Sequence, residues 1–325
     1  MTSRRAFLSA ALLLASGGVA AQDKAGRAQR MGLLDPSPPQ SSAPNLAQLR
    51  KGLIDLGHDR ANLDIEYASA EGRRERLLPL AQGLVGRSVD VIFTSGTPAT
   101  LAAKAASAGR VPVVTAAVVD PLETRVVDSL SNPGFVTGTA IDTADLEARR
   151  IALLRALAPA TRRLAAVMDT SNPALAGAWK ALRRAALEAG LEAELIEVRK
   201  AEQAAHAFAA AAASGADAAT VRVGALAPST RRELVEGAAH YRLPAIYASR
   251  RFVEAGGLAS YGVNSPQLYY RAAAFVDKIL RGGKPAELPM ERASQFELVL
   301  NRRTAHALQL VIPPDLLLKS DQVVG

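Results

Sequence analysis

From residue 30 onward, apolar positions recur in two alternating rhythms. Short runs rich in Val, Ile and Leu, such as RMGLLD (30–35), NLDIEYA (62–68) and VDVIFT (89–94), read as strands. Between them, apolar residues fall every third or fourth position. In APNLAQLRKGLIDLG (43–57), Leu46, Leu49, Leu53 and Leu56 line one helical face, and Gly57 ends the helix. A helix over 73–86 and another beginning at Thr97 follow the next two strands. Strand VPVVTAAV (111–118), a helix over 121–130 and strand GFVTGTA (134–140) complete a first series. A helix over 142–157 opens a second. Its strands lie at 162–169, 191–198, 216–223 and 243–248, separated by helices at 172–190, 201–214 and 228–241. A short helix in SRRFVEAGG, a strand in GLASYGVN, a helix from Ser265 and a strand–helix pair in FELVLNRRTAHALQL close the chain. Two successive βα series predict an α/β protein of two Rossmann-like, doubly wound parallel-sheet lobes. Lobe 1 is expected over 30–140 with about 263–290 returning to it, and lobe 2 over 141–262 with about 291–325.

Composition agrees with this layering. The chain has 325 residues, enough for two domains of about 100–200 residues, each with its own core. Aromatic residues are only 4% of the chain while Ala, Leu and Val abound, which suits α/β layers better than a β-sandwich. The formal charge is +8, but the basic residues are scattered and interleaved with Glu, as in EGRRER (71–76) and RRELVEG (231–237). They read as solvated helix faces. A nucleic-acid surface needs basic residues gathered with aromatics, and no such gathering is present. With no cysteine, the chain has no disulfide, thiolate–zinc site or thiol nucleophile.

The first 21 residues follow a different pattern. A basic start with Arg4 and Arg5 precedes an apolar run from Ala6 to Ala15, and small residues lead to a cleavage point before Gln22. This reads as an export signal, too short in its apolar part to span a bilayer. SRRAFLS is similar to the twin-arginine export consensus. The expected location is the periplasm. Nothing downstream carries 18 consecutive apolar residues.

In parallel sheets, ligands sit beyond the carboxyl ends of strands. The loops to search are therefore DPSPPQSS (35–42), TSGTPAT (94–100), VVDPLE (118–123), DTSNPA (169–174), RVGALAPS (222–229), YASRRF (247–252) and SYGVNSP (260–266). Ser95 lacks the G-x-S-x-G setting of a nucleophile elbow, and His58, His206, His240 and His306 all fall outside these loops. No phosphate-binding glycine motif follows a strand, so no cofactor is expected. Asp35, Asp120 and Asp169 each end a strand in a different unit, which favours capping roles over a metal cluster. In the second loop, Thr97 is a candidate N-cap and Pro98 suits a first helical position. Gly96 lets a ligand approach the backbone, where exposed N–H groups favour a carboxylate.

These segments together, MGLLDPSPP, VDVIFTSGTPATLAAKAAS, VPVVTAAVVDPLETRVVDSLSNPG, HYRLPAIYASRRFVEAGGLASYG, FVDKILRGGKPAELPME and FELVLNRRTAHALQLVIPPDLL, resemble the ABC transporter substrate-binding protein family that includes tryptophan- and tyrosine-binding members. The resemblance spans about 30 to 320. It implies a type I periplasmic-binding-protein-like fold, two hinged lobes closing on a small ligand that passes to an ABC permease and its ATPase. It also implies a monomer. Carried over, the cleft would use Pro38 and Pro39, then Ser95, Gly96 and Thr97, then Asp120 and Pro121. Lobe 2 would add Asn172, Pro173, Tyr247, Phe252 and Tyr261. Where members commonly carry a Leu-Pro-Asp-Pro-like strand end, this chain reads VRVGALAP, with Gly224 in place of an acid. Arg222 beside it could clamp an anion if it faces the cleft, and strand alternation leaves its side open. The ligand class implied is amino-acid-like or another small carboxylate. Two other readings are an exported α/β hydrolase-type enzyme and a sensory partner of a receptor.

Overall fold

The computed structural model describes residues 28–325, so the leader lies outside the described residues. Two sheets divide the chain. The first contains β1 (Gln29–Asp35), β2 (Leu63–Ser69), β3 (Val91–Ser95), β4 (Val113–Val119), β5 (Val136–Ile141) and, much later, β11 (Glu291–Arg292). Their spatial order is β2-β1-β3-β4-β5-β11, all parallel. The second contains β6 (Arg163–Met168), β7 (Glu192–Glu197), β8 (Ala218–Arg222), β9 (Ala245–Tyr247), β10 (Ala259–Val263), β12 (Phe296–Asn301) and β13 (Gln322–Val324). Its order is β7-β6-β8-β9-β10-β12-β13. The two sheets thus repeat one winding, in which strand order reverses beside the first strand of each unit. The second sheet departs from the all-parallel expectation at one place, because β12 runs antiparallel to β10.

Helices cover both faces of each sheet. In the first lobe these are α1 (Pro39–Asp55), α2 (Leu77–Gly86), α3 (Gly96–Ser107) and α9 (Ser265–Leu280). The second lobe has α4 (Ala144–Leu157), α5 (Pro173–Glu188), α6 (Ala204–Ala213), α7 (Ala227–His240), α8 (Arg250–Glu254), α10 (Arg302–Ala307) and α11 (Pro314–Lys319). Strand alternation builds the layers. Met31 and Leu33 of β1 pack with Phe93 beneath α1 and α9, while Leu34 and Ile92 face α2 and α3. Gly52 lets α1 and α9 approach closely, since a Cβ there would stand 2.8 Å from Ala273 Cβ and from the Tyr270 carbonyl.

The chain passes between sheets three times: from β5 into α4, from β10 into α9, and from β11 into β12. Two segments differ from expectation. Helix α1 begins at Pro39, four residues early, because Pro38–Pro39 starts it and the helix continues through Pro44. Residues 121–130 form turns rather than a helix: Val126 N–H bonds to the Pro121 carbonyl, but Arg125 adopts φ +56° and stops propagation. Among the described residues, no helix is long and apolar enough to cross a membrane.

Gly138 in β5 has φ +130°, and a Cβ there would lie 2.0 Å from the Thr115 carbonyl oxygen of β4. Gly138→Ala is therefore expected to cost at least about 2 kcal/mol, measured by urea unfolding. A loss within about 0.5 kcal/mol, the range of surface changes, would contradict this packing.

Candidate functional site

The winding order places a crevice where it reverses, beyond the carboxyl ends of β1 and β3 in one lobe and of β6 and β8 in the other. These ends face each other across a cavity of about 240 Å³. Lobe 1 lines it with Ser37, Ser41, Ser42 and Asn45 from the start of α1, and with Tyr269 from α9. Lobe 2 lines it with Gly224 and Arg231 after β8, with Arg250, Arg251 and Phe252 after β9, and with Glu297 of β12.

Each wall is held by a local device. Asp35, buried at the end of β1, accepts from Ser37 N–H (2.9 Å), Ser42 Oγ (2.9 Å) and Tyr67 Oη (2.8 Å). Burial pushes its carboxyl above the ordinary value, against the pull of those three bonds. This clamp fixes the first turns of α1 and points Ser41 and Asn45 inward. Burial pushes the Tyr269 phenol up to about 12, against the pull of the nearby Ser95 and Asn45 side chains. Opposite, Ser249 caps α8, accepting from Arg251 N–H at 3.4 Å. Phe252 stacks on Tyr247 with ring centroids 4.8 Å apart and planes inclined by 12°.

The charges are unevenly compensated. Arg250 is held by Glu254 at 2.8 Å, by Glu297 at 3.4 Å and by Gln322. Arg231 lies with its guanidinium 5.9 Å from the Phe252 ring centre, and its buried Nε has no hydrogen-bond partner. Burial, then the positive charge of Arg251, holds Arg231 below the ordinary arginine range. The lobes touch around the cavity. Arg251 Nη1 donates to the Ser41 carbonyl at 2.6 Å, and Arg74 of lobe 1 pairs with the buried Asp169 of lobe 2. Glu123 of lobe 1 packs against α5, where a Cβ on Gly177 would stand 2.4 Å from its carboxylate.

Beside the crossings lies a buried ionic triad. Glu147 Oε1 accepts from Arg150 Nη1 at 2.7 Å and also from Arg222 Nη1, while Arg150 Nε donates to the Tyr261 carbonyl at 2.8 Å. Asp120 ties lobe 1 to the first crossing by accepting from Thr143 N–H (2.9 Å) and Thr143 Oγ1 (2.5 Å). Burial raises the Asp120 carboxyl, and the nearby Arg222 charge opposes that rise.

The residues expected at the ligand separate in space. Phe252 lines the cavity, and Ser95, at the end of β3, is not among its lining residues. Pro38 and Pro39 are the cap and first residue of α1, with the lining serines on either side of them. Gly96 opens α3 at φ +69°, and the cap position is Ser95 rather than Thr97. The Thr97 hydroxyl bridges the amide (3.1 Å) and carbonyl (3.2 Å) of Val119, pinning α3 to β4. Asp120 faces a different groove, of about 560 Å³, together with Asp142, Lys180 and Arg292, and Pro121 is buried. Asn172 caps α5 by accepting from Ala174 N–H at 3.1 Å, and Pro173 is its first residue. Arg222 faces neither the cavity nor solvent, because Glu147 holds it in the interior. Tyr247 is 0% exposed and belongs to the core behind Phe252. The Tyr261 side chain packs near Phe296, with centroids 6.0 Å apart. Among the strand-end aspartates, Asp35 and Asp169 bind hydroxyls and amides of their own loops. Sequence reasoning missed Ser41, Asn45, Arg231, Arg251, Tyr269 and Glu297. Arg231 could have been found from its place in the first turns after β8.

Two lobes that close strand-end loops over a small cavity define a two-lobed ligand-binding protein. The chain belongs to the ABC transporter substrate binding protein family, whose model matches residues 42–324. It is 24% identical over 273 residues to the tyrosine-binding protein of Clostridioides difficile (strain R20291), a match covering 82% of this chain and 78% of that one. Its fold superimposes on the ABC domain in complex with L-Trp from Streptococcus pneumonia with a TM-score of 0.86 at 24% identity, covering 92% of this chain and 100% of that one. The ligand-free, open structure of a substrate binding protein with adhesive properties from Clostridium difficile gives 0.68 at 23% identity, over 91% and 99%. The fold is type I periplasmic-binding-protein-like, and ligand capture in the cleft for ABC transport is its function.

Glu147→Gln would leave Arg150 and Arg222 buried without their shared carboxylate. The expected loss of stability is about 3–5 kcal/mol, read by chemical denaturation. A loss below about 1 kcal/mol would contradict the triad's structural role.

Proposed function

We propose that this chain is the periplasmic solute-binding component of an ABC importer and that its ligand is a small organic molecule bearing a carboxylate. The ligand's acid group meets Arg231 and Arg251, and its apolar part lies against Phe252 and Tyr269. The observation that carries this reading is the cavity itself: strand-end loops of both lobes enclose it, and it presents guanidinium groups beside aromatic faces. A volume of about 240 Å³ suits a ligand smaller than a drug molecule. The leader over 1–21, with its paired arginines, supports export, by the twin-arginine route in this reading. The lobes move as units about the three crossings, and the closed form is handed to the permease and its ATPase as a monomer. The cleft performs no chemistry in this reading. The four histidines are absent from the cavity lining, so no imidazole base stands there beside a hydroxyl.

Thermal unfolding of the mature protein over a panel of small carboxylates tests this. A ligand at a hundred times its Kd is expected to add about 2.7 kcal/mol of stability. Ser41→Trp, which fills the cavity from the lobe 1 side, abolishes that gain. A gain that persists in Ser41→Trp would place binding elsewhere.

A further inference from the structure

We infer that the cleft selects a small carboxylate that carries no amino group, rather than a zwitterionic amino acid. This rests on the cleft reading above and narrows it.

The argument is one of charge placement. Arg231, Arg250 and Arg251 line the cavity, and Glu297 is the carboxylate among its lining residues. Glu297 is engaged by Arg250, which also binds Glu254. Arg231 and Arg251 have no carboxylate within ion-pairing distance among the described residues. Arg251 is bonded instead to a carbonyl, that of Ser41, and Arg231 leaves its buried Nε unbonded. Two neighbouring cations on one wall of a cavity repel each other and are relieved by one anion placed against both. Each guanidinium can hold a carboxylate through paired N–H groups. Both guanidiniums belong to lobe 2, and lobe 1 meets them through the Ser41 carbonyl, which accepts from Arg251 across the gap.

An ammonium group meets the opposite situation. It needs a carboxylate or several well-placed acceptors once removed from water. Glu297 is already engaged by Arg250, so it is not free to serve an ammonium group. Gly224 adds no side chain to the wall, so Glu297 stays the one carboxylate among the lining residues. A third uncompensated cation near two guanidiniums costs roughly tenfold to a hundredfold in affinity at distances of about 6 Å. Phe252 and Tyr269 supply surfaces for an aromatic or branched apolar body.

The test is calorimetric titration of the mature protein with matched pairs: 3-phenylpropionate and L-phenylalanine, 3-(4-hydroxyphenyl)propionate and L-tyrosine, 4-methylpentanoate and L-leucine. Within at least one pair, the acid without an amine is expected to bind about tenfold tighter or more. Arg231→Met and, separately, Arg251→Met weaken that binding by about tenfold or more. Glu297→Gln tightens it, by removing a negative charge from the wall. Each variant's unfolding temperature is measured alongside. Tighter binding of the amino acid, lost in Glu297→Gln, would overturn the inference while leaving the cleft reading intact. Absence of binding by both members of every pair would overturn it too. Binding that survives Ser41→Trp lies outside the cleft and takes down the earlier reading as well.

Discussion

A parallel strand can be followed by another only through a crossover on one face of the sheet, and this constraint governs the molecule. Every helix that follows a parallel strand starts at the same sheet end. All the loops free to carry chemistry therefore gather on one edge of each lobe. The chain repeats one winding in both lobes, and its crossings turn the two edges toward each other. The cavity, its serines, its arginines and its aromatic faces are consequences of that arrangement. So are the interlobe contacts of Arg74 with Asp169 and of Arg251 with Ser41, because these residues too sit at strand ends or in the elements just beyond them.

The alternation of elements was legible because strand and helix periods differ and the buried faces obey them. Leu46, Leu49 and Leu53 are buried as their spacing requires, and Gly57 adopts φ +91° just past the helix end. The ligand-facing residues were much less legible. Knowing that a loop lies at a strand end does not fix which side chain turns toward the gap. In YASRRF, Tyr247 and Phe252 were the obvious choices, yet one stacks behind the other, and the intervening Arg251 also lines the cavity. Arg231 sits in RRELVEG, where interleaved acids suggest a solvated face. Its first-turn position after β8 overrides that composition. Thr97 was misread because a hydroxyl before a helix looks like a cap, whereas the bulge that shifts register between Thr115 and Val118 of β4 presents the Val119 backbone to it.

The family model fixes the family and the likeness to solved structures fixes the fold, while the cavity wall carries its own chemistry. Buried charges away from the cavity are matched, as in the Glu147–Arg150–Arg222 triad, where one carboxylate serves two guanidiniums. At the cleft the matching is incomplete: Arg231 leaves its buried Nε unbonded and Arg251 is bonded to a carbonyl; in the proposed reading a ligand that fills this demand also draws the lobes together.

That coupling is measured most directly by the distance between the lobes in solution. The chain has no cysteine, so Glu75→Cys in lobe 1 and Glu202→Cys in lobe 2 accept a spin label each without competing sites. The account predicts a broad or long distribution without ligand that shortens and narrows when a cleft ligand saturates the protein. A distribution unchanged by a ligand that demonstrably binds would contradict it.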